Sequence, residues 1–358
     1  MGTTKQGHFF YAQVATLILS LLLFFSLPVQ ASAPLQIGVL YWSMNIPGQV
    51  AMRKGLEAEA DKINLQAQNS SLPSVELLPF VAGDGEIGIE NQIRQMFELI
   101  QQKPDLIIIQ PTDNAALSAP LKLANKKKIP VVAYDQYISG GSLHAYITSD
   151  NYQAGYLDGE YIASLFDRKY TIKLILVEYP HVSSTVERLN GFLDALTEAQ
   201  QAHTILTTFK AVEPISGQQA GKDILAAFPE KDSIDVIFTV NDGGGLPVVD
   251  ALAAAGRNEI IVASIDGDPA SVNNIREQRL TRIDAAQFCG PMGVEAMRIA
   301  YAILQNKKVP EHVLIPTFPV SQETLHIYPG WHGPIPEKFR KPWIGKQSYW
   351  SGKIKVIK

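Results

Sequence analysis

The sequence predicts an α/β fold of two doubly wound lobes, each a parallel sheet with helices on both faces. From Leu35 onward, short apolar runs alternate with stretches of helical periodicity, the pattern of stacked βαβ units. This rhythm restarts near Tyr152 and runs through a second series. The chain has 358 residues, whereas a single hydrophobic core usually holds no more than roughly 250–300. Two successive lobes are therefore the economical interpretation.

The first series opens with the apolar strand Leu35–Leu40. Pro47 follows at a place where the first turn of a helix accepts proline, and Met52, Leu56 and Ala60 then repeat at helical spacing. The same patterns predict the strand Val75–Phe80, the helix Ile89–Ile100, the strand Asp105–Gln110, the helix Ala115–Lys126 and the strand Ile129–Tyr134.

The second series repeats this alternation and then departs from it. Its predicted elements are the helix Tyr152–Phe166, the strand Ile172–Val177, the helix Thr185–Glu198, the strand Thr204–Phe209, the helix Gln218–Phe228, the strand Asp235–Val240, the helix Leu246–Ala255, the strand Glu259–Ile265 and the helix Pro269–Glu277. A strand over Thr281–Phe288, a long helix over Gly293–Leu304 and an extended segment over Val313–Pro319 follow.

The tail Pro329–Lys358 breaks the pattern. It holds Trp331, Trp343 and Trp350 among several Gly, Pro and Lys residues. We expect irregular chain that wraps over a lobe surface. Docking of a partner onto these aromatic side chains is the alternative.

The N-terminus has the order of a secretory signal: a positive start at Lys5, an apolar run within Phe9–Leu27, and small residues where a peptidase cuts. Cleavage is expected after Ala31 or Ala33, so that residues 1–31 form the signal. An uncleaved anchor is the alternative, because the apolar run is nearly long enough to span a bilayer. The small-residue end favours cleavage and export.

Composition excludes several classes of function. The 31 Lys and Arg against 35 Asp and Glu give no basic footprint, so no nucleic-acid partner is expected. The single cysteine, Cys289, is expected to be a buried apolar residue. Gly243-Gly244-Gly245 lacks the Lys-Ser/Thr that a phosphate-binding loop requires. No catalytic motif and no metal-ligand cluster is found, so we predict a protein that is not an enzyme and uses no cofactor or metal.

Polar side chains follow the predicted strands at their carboxyl ends, where open parallel sheets bind ligands. Carboxylates, amides and an arginine suit a ligand with many hydroxyl groups, and aromatic faces suit its C–H surface. For Asp113 and Asp242, capping of the next helix is an equally good interpretation. The strand-end set is Tyr41, Trp42, Ser43, Asn45, Gln110, Thr112, Asp113, Tyr134, Asp135, Gln136, Glu178, Tyr179, Arg188, Asn241, Asp242, Asp266 and Gln287.

Eight segments in this order and at these spacings carry a family resemblance. They are Ile37–Gly55 with Asn45-Ile46-Pro47, Ile109–Asp113, Ile129–Asp135, Thr148–Asn151, Glu187-Arg188 before Gly191-Phe192, Val240–Asp242, Ile265–Gly267, and Gln287. The chain resembles the periplasmic sugar-binding proteins of the ribose-binding type, which share their fold with LacI-type repressor cores. The resemblance runs from about Leu35 to Val320. A repressor is not expected, because an export signal stands where repressors carry a DNA-binding headpiece.

The resemblance implies a site in the cleft between the lobes. In that family, the positions matching Asp135, Arg188, Asn241, Asp266 and Gln287 hydrogen-bond the sugar, and we add Trp42, Asn45 and Gln110 as further candidate ligand contacts. Ribose binders place aromatic residues near Pro47, where this chain has Gly48 and Gln49, and Gln136 stands where an arginine is common. A ligand other than ribose is therefore expected, and a non-sugar stays open.

The resemblance also implies a hinge that the chain crosses three times, near Asp135, Phe288 and Pro319. The expected lobes are 34–134 with 288–318 and 135–287 with 319–328, followed by the extension 329–358. Closure around the ligand would then act as the signal to a partner. We expect a periplasmic monomer that delivers its ligand to an ABC permease. The alternative is docking on a membrane sensor kinase, cyclase or chemoreceptor, to which the aromatic tail gives some weight.

Overall fold

Strands and helices alternate through most of the chain. A computed structural model describes residues 33–357, and the expected signal at residues 1–31 lies outside them. The strands are β1 (Leu35–Tyr41), β2 (Val75–Val81), β3 (Leu106–Ile109), β4 (Val131–Tyr134), β5 (Ala145–Ser149), β6 (Ile172–Glu178), β7 (His203–Lys210), β8 (Val236–Thr239), β9 (Ile261–Asp266), β10 (Thr281–Ala286), β11 (His312–Ile315), β12 (Phe318–Ser321), β13 (Phe339–Arg340), β14 (Tyr349–Trp350) and β15 (Lys355–Ile357). The helices are α1 (Pro47–Gln68), α2 (Gly85–Gln102), α3 (Ser118–Lys126), α4 (Asn151–Leu165), α5 (Ser183–Glu198), α6 (Pro214–Ala227), α7 (Asp242–Ala254), α8 (Pro269–Arg276) and α9 (Cys289–Leu304).

The strands form two large sheets, one for each lobe. The first has the order β15-β11-β5-β4-β3-β1-β2, and the second has the order β12-β10-β9-β8-β6-β7. Pairing is parallel except at one edge of each sheet, where β15 lies antiparallel to β11 and β12 lies antiparallel to β10. The predicted α/β fold of two parallel-sheet lobes is confirmed.

Each sheet is covered on both faces, as its apolar strands predict. In β3, Ile108 belongs to one hydrophobic cluster, whereas Ile107 and Ile109 belong to another. In β8, Phe238 and Ile237 likewise face two different clusters. Successive side chains of a strand point to opposite faces, so helices on both sides bury every residue of these strands.

The chain crosses between the lobes three times, as predicted, but the first crossing falls elsewhere along the sequence. The strand β5 was not predicted; it pairs with β4 and β11 in the first sheet. The segment 135–149 therefore stays in the first lobe, and the first crossing comes at Asp150, not at Asp135. The third crossing lies between β11 and β12, next to the expected position near Pro319, because β12 belongs to the second sheet.

The tail covers both lobes, where we expected a single lobe surface. Trp331 and Trp350 pack into the cluster on one face of the first sheet, whereas Trp343 packs into a second-lobe cluster. The strands β13 and β14 pair as a small ribbon, and β15 ends the tail on the first sheet. Across residues 33–357, no helix combines the length and apolarity that crossing a membrane requires.

Candidate functional site

A cavity lies between the two lobes. Six residues of the predicted set are among those that line it, drawn from both lobes. The lining residues are Trp42, Ile46, Gly48, Gln49, Met52, Asp135 and Gln136 from the first lobe, and Ser184, Thr185, Arg188, Val212, Asn241, Asp266 and Gln287 from the second lobe and the hinge. Asn45 and Gln110 are the members of the predicted set that lie outside the lining. From the wider strand-end group, the residues outside the lining are also Tyr41, Ser43, Thr112, Asp113, Tyr134, Glu178, Tyr179 and Asp242.

Arg188 is the central cation of the cavity. It lies on α5, which approaches α4 so closely that a Cβ on Gly155 would come within 1.8 Å of the Arg188 carbonyl oxygen. Its Nε donates to Asn151 Oδ1 at 2.9 Å, and its Nη1 donates to Val240 O at 2.8 Å and to Asp266 Oδ1 at 3.0 Å. Nη2 makes no hydrogen bond with residues 33–357. The guanidinium is therefore fixed in place with one donor group left for the cavity.

Asp266 ends β9 in a backbone conformation that L residues rarely adopt, with φ of 134°. Its Oδ1 accepts from Gln287 Nε2 at 2.6 Å as well as from Arg188. Burial raises the pKa of Asp266 to about 6, against the opposing effects of Arg188 and Gln287. Gln287 Oε1 in turn accepts from Ser149 Oγ at 2.7 Å, which joins the first and second crossings of the hinge.

Asp135 faces this network from the first lobe. It too has a positive φ, of 65°, directly after β4. Its carbonyl accepts from Thr148 Oγ1 at 2.8 Å, and its Oδ2 accepts from Gln110 Nε2 at 2.9 Å. Burial raises the pKa of the Asp135 carboxyl, while Gln110 and the charge of Arg188 lower it. Both cavity carboxylates thus occupy strained backbone, a feature that concentrates at functional sites.

Gln110 stands behind Asp135, not in the cavity wall. It is fully buried, and its Oε1 also accepts from Trp42 N at 3.4 Å. From this position Gln110 holds Asp135, and its direct contact with a ligand stays a prediction. A sequence pattern cannot separate these two roles, because both require a polar residue at the end of β3.

Asn45 does not belong to the cavity lining. It is exposed, and its Nδ2 donates to Asp84 Oδ2 at 2.6 Å on the outer side of the loop. Trp42, by contrast, is 3% exposed and lines the cavity as predicted. The loop turns at Ser43, whose hydroxyl accepts from Asn45 N at 2.9 Å, and this turn directs Asn45 away from the ligand side.

Asn241 lines the cavity and also caps α7. Its Oδ1 accepts from Gly244 N at 3.1 Å, and its Nδ2 donates to Val212 O at 2.9 Å. Asp113 holds the turn that precedes α3, because its Oδ1 accepts from Ala115 N and Ala116 N. It does not cap α3 itself, whose N-cap residue is Leu117 and has no side-chain cap hydrogen bond.

Asp242 does not cap its helix through its side chain; it joins the loop after β9 to the sheet. Its Oδ1 accepts from Ser264 Oγ at 2.6 Å, and its Oδ2 accepts from Asp268 N at 2.7 Å. It is 2% exposed. Asp242 therefore supports the segment that carries Asp266.

The prediction missed Gln49, Met52, Ser184 and Thr185 in the lining. Gln136, a member of the strand-end set that was not chosen as a candidate ligand contact, accepts from Ser184 N at 3.3 Å across the cleft. The polar run at the start of α5 was the available signal, since its residues follow the end of β6 directly.

Direct hydrogen bonds hold the two lobes together along the cleft rim. Gly85 N donates to Glu213 Oε1 at 3.0 Å, and Ser183 N donates to Asn114 Oδ1 at 3.1 Å. Asn114 N donates to His181 O at 3.1 Å. Each pair joins a first-lobe residue to a second-lobe residue, so the arrangement is that of closed lobes.

Other chemistry finds little support at this site. Among residues 33–357, no group of three or more His, Cys, Asp or Glu side chains could hold a metal ion. Cys289 is buried and makes no disulfide, and burial raises the pKa of its thiol, which disfavours a reactive thiolate.

Comparison with known proteins gives consistent matches along the chain. A family model described as a periplasmic binding protein domain matches residues 37–308. The ribose import binding protein RbsB of Salmonella typhimurium is 25% identical over 297 residues, covering 83% of this chain and 94% of that protein. The Bacillus subtilis RbsB is 28% identical over 283 residues, covering 78% and 85%.

Solved structures share the fold. A solute-binding protein of an ABC transporter from Actinobacillus succinogenes, with bound D-allose, has a TM-score of 0.69 at 23% identity, covering 82% of this chain and 100% of that one. One from Bacillus halodurans, with bound myo-inositol, has a TM-score of 0.71 at 22% identity, covering 84% and 98%. The fructose-binding periplasmic domain of a hybrid two-component system has a TM-score of 0.70 at 24% identity, covering 82% and 92%.

Proposed function

Because the chain belongs to the periplasmic binding protein domain family, we propose that it is exported to the periplasm and binds a neutral, polyhydroxylated ligand between its lobes. The ligand class is a monosaccharide or a cyclitol. The protein delivers this ligand to an ABC permease and carries out no chemistry on it.

The observation that carries this proposal is the polar network of Arg188, Asp266 and Gln287 in one wall of the cavity, opposite Asp135 in the other. Carboxylate oxygens accept from sugar hydroxyls, and the guanidinium and amide donate to them. Trp42 adds an aromatic face in the same cavity. A ligand with hydroxyl groups on several sides satisfies all of these groups at once.

The charges of the cavity favour a neutral ligand. Asp135 and Asp266 carry the acidic groups, Arg188 is the basic one, and all three are at most 6% exposed. An anionic ligand would lie beside two buried carboxylates, which is unfavourable at low dielectric. Relatives bind ribose by name, and neighbours hold D-allose and myo-inositol. These two considerations determine which ligands should be tested.

Closure is the working step of the proposed mechanism. A ligand that bridges Asp135 on the first lobe and Arg188 on the second binds the closed form better, and so shifts an open–closed equilibrium. The rim bonds from Gly85 to Glu213 and from Ser183 to Asn114 then form together. The closed rim presents both lobes to the permease at the same time.

A sensor partner is the second candidate, and one observation favours it: a neighbour of the same fold is part of a hybrid two-component system. The relatives that span most of this chain are named for import, so delivery is our proposal. Deleting the gene separates the two: loss of ligand uptake supports delivery, whereas loss of a transcriptional response with uptake intact would overturn it.

The first test is a thermal-shift screen of the mature protein with D-ribose, D-allose, D-fructose and myo-inositol, and with glucose 6-phosphate as the anionic control. A ligand at about 100 times its dissociation constant stabilises the folded state by about 2.7 kcal/mol. We expect at least one neutral member to raise the melting temperature and the phosphate ester to have no effect. Selective stabilisation by the phosphate ester would contradict a neutral ligand.

A pair of matched arginine variants tests the site. Arg188→Met removes the cavity donor and should lower the affinity for the tightest-binding ligand by about 100-fold or more. Truncating one partner of a buried charge pair costs about 2–5 kcal/mol or more. Arg257→Met is the control, because Arg257 is also buried and paired, with Glu259, but lies outside the cavity lining. It should lose stability and keep affinity. If Arg188→Met binds the ligand as tightly as the parent does, Arg188 is not part of the ligand site.

A further inference from the structure

Trp331 reaches the cavity from behind, out of the C-terminal tail. Its Nε1 donates to the carbonyl oxygen of Asp266 at 2.6 Å, and its own carbonyl accepts from Gly290 N at 3.2 Å. Its ring lies behind Gly48, since a Cβ added to that glycine would be 3.7 Å from the ring. One residue of the tail therefore touches the end of β9, the start of α9 and the start of α1.

The peptide that Trp331 holds is the strained one. Asp266 has φ of 134°, and its carbonyl accepts from Gln287 N at 2.9 Å in addition to the indole. The next carbonyl, of Gly267, accepts from Tyr328 OH at 3.4 Å. A rare backbone conformation persists only where the surroundings over-determine it. Here two aromatic donors, Tyr328 directly before the tail and Trp331 within it, hold two successive carbonyls.

We propose that Trp331 is a positioning residue of the ligand site, which fixes the backbone of Asp266 so that its carboxylate meets Arg188 and the ligand. The inference rests on the proposed function and deepens it, because it makes the tail a working part of recognition. Without the indole N–H, the strained peptide relaxes and the Asp266 carboxylate loses its alignment with Arg188. Ligand affinity then falls although no group facing the cavity has changed.

The chain offers a matched control for this tryptophan. Trp350 also lies in the tail, is 2% exposed, and donates from its Nε1 to a backbone carbonyl, that of Thr317, at 2.7 Å. Trp331→Phe and Trp350→Phe therefore each remove one buried indole hydrogen bond and retain an aromatic ring. They differ in the carbonyl that loses its donor, and only Trp331 serves Asp266.

Calorimetric titration with D-ribose, D-allose and myo-inositol provides the test. We expect Trp331→Phe to weaken the tightest of the three by about 10-fold, the size of one buried hydrogen bond, and Trp350→Phe to stay within about twofold of the parent. Asp266→Asn should also weaken binding, and adding Trp331→Phe to it should cause no further loss, because the tryptophan acts through Asp266. Equal losses in the two tryptophan variants would reduce Trp331 to a structural role and overturn the proposal.

Amide hydrogen exchange in the ligand-free protein gives a second readout. The amides of Gly267 and Asp268 donate to Asp284 Oδ1 and Asp242 Oδ2, so they are protected while this segment is held. These two amides should exchange faster in Trp331→Phe than in the parent, and at the parent rate in Trp350→Phe. Equal exchange rates in the two variants would overturn the inference.

The affinities separate the failure of this inference from the failure of the proposed site. Lost affinity in Asp266→Asn with parent affinity in Trp331→Phe overturns this inference alone. Parent affinity in Asp266→Asn overturns the proposed site as well.

Discussion

Two buried ion pairs in this protein have similar chemistry and different surroundings. Arg188 and Asp266 are 3% and 9% exposed at their side chains and line the cavity. Lys341 and Glu160 are 3% and 4% exposed and join the tail to α4. Glu160 is satisfied by the tail alone, because its other oxygen accepts from Lys346 N at 2.9 Å. The cavity pair keeps a free Nη2 on Arg188 and a strained backbone at Asp266.

Burial of an ion pair therefore does not by itself indicate a ligand site, and both pairs border a pocket. The cavity pair is distinguished by the backbone strain at Asp266 and by an Arg188 Nη2 that makes no hydrogen bond within residues 33–357. In the tail pair, both oxygens of the Glu160 carboxylate accept hydrogen bonds from the tail. Variants of the first pair should therefore lower ligand affinity as well as stability, whereas variants of the second should lower stability alone.

The largest expected effect comes from breaking the tail pair. Lys341→Met leaves the Glu160 carboxylate buried without its cation, which should lower the free energy of unfolding by about 3–5 kcal/mol. Urea denaturation measures this loss. The folded fraction should bind the best ligand of the screen as tightly as the parent does. A drop in affinity as large as that of Arg188→Met would erase the distinction between the two pairs.

A smaller effect is expected from the titration of Asp266. Burial raises its pKa to about 6 in the folded protein, from 3.8 as the reference value. The folded state therefore binds this proton more tightly, so the stabilising contribution is complete below about pH 4 and is lost as the pH rises through about 6. The stability of Asp266→Asn relative to the parent should accordingly rise between about pH 4 and about pH 7, as measured by thermal denaturation across that range.

Glu259 provides a control, because the pH dependence of its contribution to stability has the opposite sign. Burial opposes its ionisation, but hydrogen bonds that include that of Arg257 leave its pKa lowered. Its stabilising contribution is present at neutral pH and is lost as the pH falls, so the stability of Glu259→Gln relative to the parent should rise toward acid pH. Parallel pH slopes in the Asp266 and Glu259 variants would contradict the assigned environments.

The smallest expected effect belongs to the exposed neighbour of the tail pair. Lys346 and Glu198 are 63% and 41% exposed at their side chains. Lys346→Met should change the free energy of unfolding far less than Lys341→Met does, and salt should reduce the difference further. A loss comparable to that of Lys341→Met would mean that the tail is fastened by its surface charges and not by its buried pair.

Much of the site could be predicted from the chain, because strand ends and polar residues are local features. Trp42, Asp135, Arg188, Asp266 and Gln287 were all found in this way and line one cavity. Asn241 was found too, although its side chain is largely occupied as a helix cap. Asn45 and Gln110 share the same local signature and lie outside the lining, since a turn and a neighbouring strand decide where each points.

Local sequence patterns predict the two lobes, their parallel sheets and the polar strand ends, because periodicity and turn chemistry depend on residues that are close in the chain. The return of β5 to the first sheet and the contact of Trp331 with Asp266, 65 positions away, follow from tertiary packing. Strand order and the path of the tail depend on which distant surfaces bury one another. No pattern within a single segment records that choice.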